Sequence, residues 1–96
     1  MLDVPAQFDE GHVYHLFPVL SVHRAALQKH LAERGVETLI HYPVPITRQP
    51  ALTQAEPGEC PVADRICAQV LSLPIYPSLE NASVDHVADR VAEFKP

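Results

Sequence analysis

Basic residues are scarce and dispersed: seven Lys and Arg stand against twelve Asp and Glu, for a formal net charge of -5 with His neutral. No positive stripe results, which argues against nucleic acid as a partner, because phosphate neutralisation needs clustered Lys and Arg. No apolar run approaches the ~20 residues that a bilayer-crossing helix requires. The start, Met1-Leu2-Asp3-Val4-Pro5, has no basic segment followed by an apolar one, so no secretion signal is expected. With only Gly11, Gly35 and Gly58, the chain has no glycine-rich phosphate loop. There are two cysteines, Cys60 and Cys67, seven apart and so on one face of a helix, where a mutual disulfide is geometrically disfavoured. Neither belongs to a C-x-x-C pair, which removes the usual zinc pattern. Both read as reduced thiols of a cytoplasmic protein, with Cys67 a small core residue.

What is present fits one domain. The chain has 96 residues, 47% of them hydrophobic, normal for a globular protein and too many for a disordered one. A chain this short buries only about 60–65% of the surface it exposes when unfolded, so its stability margin is thin. Residues 1–11 read as an irregular lead-in ended by Gly11, and residues 12–96 as the domain proper. His12 to Leu20 has the make-up of a strand apolar on both faces, with Pro18 implying an edge or a bulge. His23 to Arg34 predicts a helix with Leu27, Leu31 and Val22 or Ala26 inward, Ser21 as its cap and Gly35 as its left-handed terminator. Arg24, Lys29 and Glu33 suggest its solvated face.

Glu37 to His41 predicts a second strand, left through the stiff Tyr42-Pro43-Val44-Pro45. A long connection to about Glu59 follows, a length more often functional than filler. Pro61 suits the first turn of a helix carrying Val62, Ile66 and Val70 at four-residue spacing, beside Ala63 and Cys67. Leu71 to Pro74 is a short strand candidate, Tyr76-Pro77-Ser78 a turn, and Ser83 the cap of a last helix with Val84, Val87, Val91 and Phe94 on one face. The expected fold class is α+β: a small three-stranded sheet with three packed helices. Strand order stays open; a right-handed crossover is expected only if the first two strands are parallel neighbours.

Six histidines invite a metal reading, but the spacing opposes it. His12 and His15 fall on opposite faces of a strand, and His23, His30 and His86 lack a partner at a ligand spacing, so the last three read as solvent-exposed. His41 is different, because it ends a strand directly before Tyr42-Pro43, where small-molecule sites gather. Imidazole and phenol on a stiffened backbone can orient a hydroxylated substrate or hold a carboxylate or phosphate; the plainer reading is a histidine satisfied within the structure. Ser21, Ser72, Ser78 and Ser83 suit caps and turns better than a nucleophile. Asn81-Ala82-Ser83 matches a glycosylation sequon but reads as a helix cap. These residues alone identify no reaction.

Several segments, in order, resemble the DegT/StrS family of nucleotide-sugar aminotransferases: residues 12–19 (His-Val-Tyr-His-Leu-Phe-Pro-Val), residues 31–45 from Leu-Ala-Glu-Arg-Gly-Val through His41-Tyr42-Pro43 to Pro45, Arg48-Gln49-Pro50-Ala51, Pro61-Val62-Ala63-Asp64, and Leu71-Ser72-Leu73-Pro74-Ile75-Tyr76-Pro77. The resemblance runs from about residue 12 to 94 and implies the C-terminal small domain of a fold-type I aminotransferase. It further implies a complete enzyme that uses pyridoxal phosphate, takes an amino group from glutamate to a keto-sugar on a nucleotide, and works as a homodimer.

The lysine that would hold the cofactor is implied to lie in a preceding large domain. Lys29 and Lys95, the only lysines here, lack that lysine's surroundings. No catalytic or cofactor-binding residue is therefore assigned, no cofactor is expected on this chain alone, and the chain is expected to be inactive without the large domain and second subunit. His41 and Tyr42 are implied to be substrate-side contacts; Tyr14 and His15 match family positions but are expected to pack in the core. Thr47 departs from a usual histidine, Leu52 from an aromatic and Cys60 from a larger apolar residue, which weakens any substrate role for the loop. The competing expectation is a self-contained small binding or interaction module with its apolar faces covered.

Overall fold

The computed structural model describes residues 2–96 (the side chain of Thr53 aside), and Met1 of the lead-in lies outside them. Three strands form an antiparallel sheet in the order β1 (Leu2–Asp3), β2 (Phe17–Ser21), β3 (Val70–Leu73). Three helices accompany it: α1 (Arg24–Ala32), α2 (Pro61–Gln69) and α3 (Asn81–Ala92). The expected α+β class, three strands with three helices, is present, but two of the strands differ from expectation.

The first strand begins at Phe17 rather than His12. Phe17 pairs with Leu73, so the next pair would set Leu16 opposite Pro74, which has no N–H to give. The chain instead turns at Tyr14, where φ is +48°; the Tyr14 N–H donates to His12 Nδ1 at 3.0 Å. The lead-in is not wholly irregular, since Leu2 and Asp3 pair with Ser21 and Leu20.

The expected strand over 37–41 is reduced to a single bridge, in which Leu39 and Ser72 exchange both backbone hydrogen bonds (3.2 and 2.7 Å). Continuing that ladder would require Glu37 to pair with Pro74, which again lacks a donor, and His41 with Val70, whose carbonyl already accepts from Arg24. All sheet pairings are antiparallel, so no crossover unit exists among the described residues. The same bridge explains Pro18. Ser72 turns its N–H and C=O toward Leu39, so the Pro18–Ser72 pair needs no hydrogen bond between its members. β1 reaches only Leu20 and Ser21, so nothing awaits the missing N–H on the other side.

The core is Val19, Leu27, Leu31, Val36 and Leu71, with Phe17, Ile40, Leu73, Val87, Val91 and Phe94 packed around it. It binds α1 and α3 to one face of the sheet. α1 ends as expected at Gly35, with φ +77°. The Val36 N–H bonds the Leu31 carbonyl (2.9 Å) and the Gly35 N–H the Ala32 carbonyl (3.1 Å), a Schellman stop that returns Val36 to the core beside Leu31.

Several polar residues differ from expectation. Ser21 is buried at the end of β2 and accepts from the His23 N–H, while α1 has no side-chain cap. Ser83 lies within α3, whose first residue is Asn81 and whose start also lacks a side-chain cap. Arg24 is half-buried and donates to the Cys67 and Val70 carbonyls, stopping α2 where β3 begins. His30 is half-buried, with Nε2 donating to the Arg90 carbonyl (2.7 Å) and its ring edge-on to Phe94. His86 is exposed, yet its Nε2 donates to the Arg34 carbonyl (3.1 Å). The two histidines thus clamp the C-terminal ends of α1 and α3 reciprocally.

Gly35→Ala is expected to lower the unfolding free energy by about 1–2 kcal/mol, the strain of a positive φ for a residue with a Cβ. Nothing lies within 4 Å of the added methyl, so no clash contributes. Urea denaturation followed by circular dichroism measures this, and unchanged stability would contradict the Schellman assignment.

Candidate functional site

Schellman stop and bridge together steer residues 36–42. Val36 and Ile40 turn inward, Leu39 is pinned to the edge of β3, and His41 follows at the rim of an open groove of about 740 Å³. Gln28 of α1, Glu37, Thr38, Ser72 and Tyr76 line the groove with His41. It offers amide, carboxylate, hydroxyl, imidazole and phenol groups on an otherwise apolar floor, a make-up suited to a polyhydroxylated ligand.

His41 is half-buried and its Nδ1 lies 2.9 Å from Ser72 Oγ. Tyr42 stands edge-on to the imidazole at 5.4 Å but is 70% exposed and does not line the groove. The structure thus brings the two expected site residues together as neighbours and sets only His41 on the groove wall. Ser72 was missed as a partner. A lone hydroxyl inside the apolar run Val70-Leu71-Ser72-Leu73 was the available signal, since a buried polar group needs a bonding partner.

Tyr14 and His15 do not pack in the core. His15 is exposed, and Tyr14 is half-buried with its phenol donating to Gln7 Oε1 at 2.7 Å. Both line a separate hollow with Ile75 and Tyr76. The connection after Tyr42 folds as two 3₁₀ turns, Ile46–Arg48 and Pro50–Ala55, tied to α2 by the Arg48–Asp64 ion pair (3.3 Å). Both cysteines are free, Cys60 exposed at the start of α2 and Cys67 half-buried. Among the described residues no group of three or more His, Cys, Asp or Glu is placed to hold a metal ion. No helix among them is long and apolar enough to cross a membrane.

The residues present do not fit a covalently held carbonyl cofactor. The Lys29 side chain is 79% exposed and its Nζ lies 3.8 Å from the Glu33 carboxylate; Lys95 is exposed, and no lysine lines the His41 groove.

Much apolar surface is uncovered. Val22, Leu39, Ile46 and Val62 are all more than half exposed, and α2 has no buried residue, so its expected Val62–Ile66 face meets no core. The Cα radius of gyration is 15.4 Å, against about 13 Å for a compact domain of this length.

The sequence profile of the DegT/DnrJ/EryC1/StrS aminotransferase family matches residues 1–92. The chain is 44% identical over 88 residues to dTDP-3-amino-3,4,6-trideoxy-alpha-D-glucose transaminase of Streptomyces venezuelae, covering 90% of this chain and 23% of that protein. It is 38% identical over 86 residues to dTDP-3-amino-3,6-dideoxy-alpha-D-galactopyranose transaminase of Aneurinibacillus thermoaerophilus, covering 90% and 24%. Among solved structures, S. venezuelae DesV in complex with a ketimine intermediate superposes with a TM-score of 0.88 at 41% identity, over 96% of this chain and 26% of that one. NtdA of Bacillus subtilis, with bound cofactor PMP, gives 0.78 at 31% identity, over 95% and 22%. The chain therefore spans about a quarter of the length of the relatives it matches.

Tyr42→Ala is expected to change the unfolding free energy by no more than about 0.5 kcal/mol, because the ring is largely in solvent. A loss several times larger in urea denaturation would show that Tyr42 supports the fold rather than waiting for a ligand.

Proposed function

This chain belongs to the DegT/DnrJ/EryC1/StrS aminotransferase family, and we propose that it is the C-terminal small domain of a pyridoxal-phosphate-dependent nucleotide-sugar aminotransferase, inactive without the rest of that enzyme. The observation that supports this reading is that His41 lines a groove of mixed polar and apolar residues that no lysine lines, while Lys29 points to the Glu33 carboxylate. In the complete enzyme the cofactor supplies the electron sink for amino transfer from glutamate to a keto-sugar, held by a lysine of the large domain. This chain's own work is to bind and orient the sugar. His41 contacts an oxygen of the substrate, and Tyr42 adds an amphipathic ring beside it.

The uncovered apolar side chains favour this reading over a self-contained module, which would keep such surface covered. They suit docking against the large domain and the second subunit of a homodimer. A cytoplasmic enzyme acting on a soluble nucleotide sugar, with neither nucleic acid nor membrane as partner, fits the acidic chain.

Two outcomes test the proposal. The 96-residue chain mixed with pyridoxal phosphate, glutamate and a nucleotide keto-sugar is expected to show no stoichiometric absorbance band of lysine-bound cofactor and no amino sugar; either product overturns it. In the enzyme carrying its large domain, His41→Ala is expected to raise KM for the nucleotide sugar by about tenfold, the scale of one lost hydrogen bond. The glutamate half-reaction should be unaffected. An unchanged KM removes His41 from the sugar side.

A further inference from the structure

Ser72 is buried within β3, 5% exposed, and all its polar groups face one segment. Its N–H and C=O pair with Leu39, and its Oγ meets His41 Nδ1 at 2.9 Å. A serine hydroxyl has one hydrogen to give, whereas Nδ1 of a neutral imidazole either gives or takes one. If Nδ1 carried the hydrogen, the buried hydroxyl would need a second acceptor, and among the described residues Ser72 Oγ bonds only to His41. Leaving such a hydroxyl hydrogen unpaired is disfavoured. Nε2 of His41 has no protein partner among the described residues, in contrast to His30 and His86, whose Nε2 atoms are taken by backbone carbonyls.

We infer that Ser72 is the positioning residue of His41: its hydroxyl donates to Nδ1, fixes the ring on the groove wall and holds the neutral imidazole in its Nε2–H form. His41 then presents a single N–H donor. The complementary ligand group is an oxygen acceptor, a sugar hydroxyl or carbonyl, and an ammonium group is not accepted there. This deepens the sugar-side reading of His41 and rests on it for the identity of the ligand, while the tautomer itself stands on the Ser72 contact alone.

Long-range nitrogen–proton NMR on the full chain reads which ring nitrogen is protonated, at alkaline pH where an imidazole is neutral. His41 is expected with Nε2 protonated and Nδ1 bare. Ser72→Ala, which keeps the backbone bridge to Leu39, should move His41 toward a mixture of the two forms, and Ser72→Thr, which keeps the hydroxyl, should restore the wild-type pattern. A wild-type His41 protonated on Nδ1, or a Ser72→Ala pattern identical to wild type, overturns the inference. If Ser72→Ala does not fold, the wild-type and Ser72→Thr patterns decide. Failure here leaves the KM test of His41→Ala untouched, so the two readings fall separately.

Discussion

Leu39 and Ser72 exchange both of their backbone hydrogen bonds, and the groove wall hangs from that pair. β3 is only four residues long, flanked by β2 on one side and by this single bridge on the other. Pro74 at one end and the Arg24-occupied carbonyl of Val70 at the other keep the bridge from growing into a ladder. The chain on either side of Leu39 is therefore free of sheet geometry. Even so, Ile40 turns to the core and His41 to the groove, the opposite sides that strand alternation about Leu39 would also give. Ser72 joins the two roles, since one residue closes the bridge and bonds the imidazole.

Local signals with one physical meaning were legible in the sequence. Gly35 ends α1 because only a positive φ allows the Schellman stop, and Pro61 opens α2 because it gives up no needed donor. The inward faces of α1 and α3 followed from helical spacing at Leu27, Leu31, Val87 and Val91. Strand limits were not legible, because a strand exists only where a partner can bond. His12 to Leu16 carries strand-like residues, but its would-be partner is Pro74, and neither segment shows this by itself.

The polar residues divide the same way. His41 was visible as a site candidate from its place before Tyr42-Pro43, but Ser72, thirty-one residues away, was not paired with it. Arg24, His30 and His86 looked like solvated side chains on helix surfaces. Each instead satisfies backbone carbonyls at another helix's end, Arg24 on α2 and the histidines between α1 and α3, which sequence spacing cannot reveal. The uncovered apolar side chains of α2 and of residues 39–46 have the same origin. Their apolar character reads as core, yet none of the α2 side chains is buried in this chain.

On the proposed reading the groove is one wall of a sugar site that a larger polypeptide completes, with His41 held by Ser72 and offering its other nitrogen to the substrate. The most direct measurement is a crystal structure of the enzyme containing both domains with a nucleotide sugar bound. The account predicts His41 Nε2 within about 2.7–3.2 Å of a sugar oxygen, Nδ1 still on Ser72, and the α2 face covered by protein. A His41 ring out of reach of the ligand, with the sugar held entirely by other residues, would contradict it.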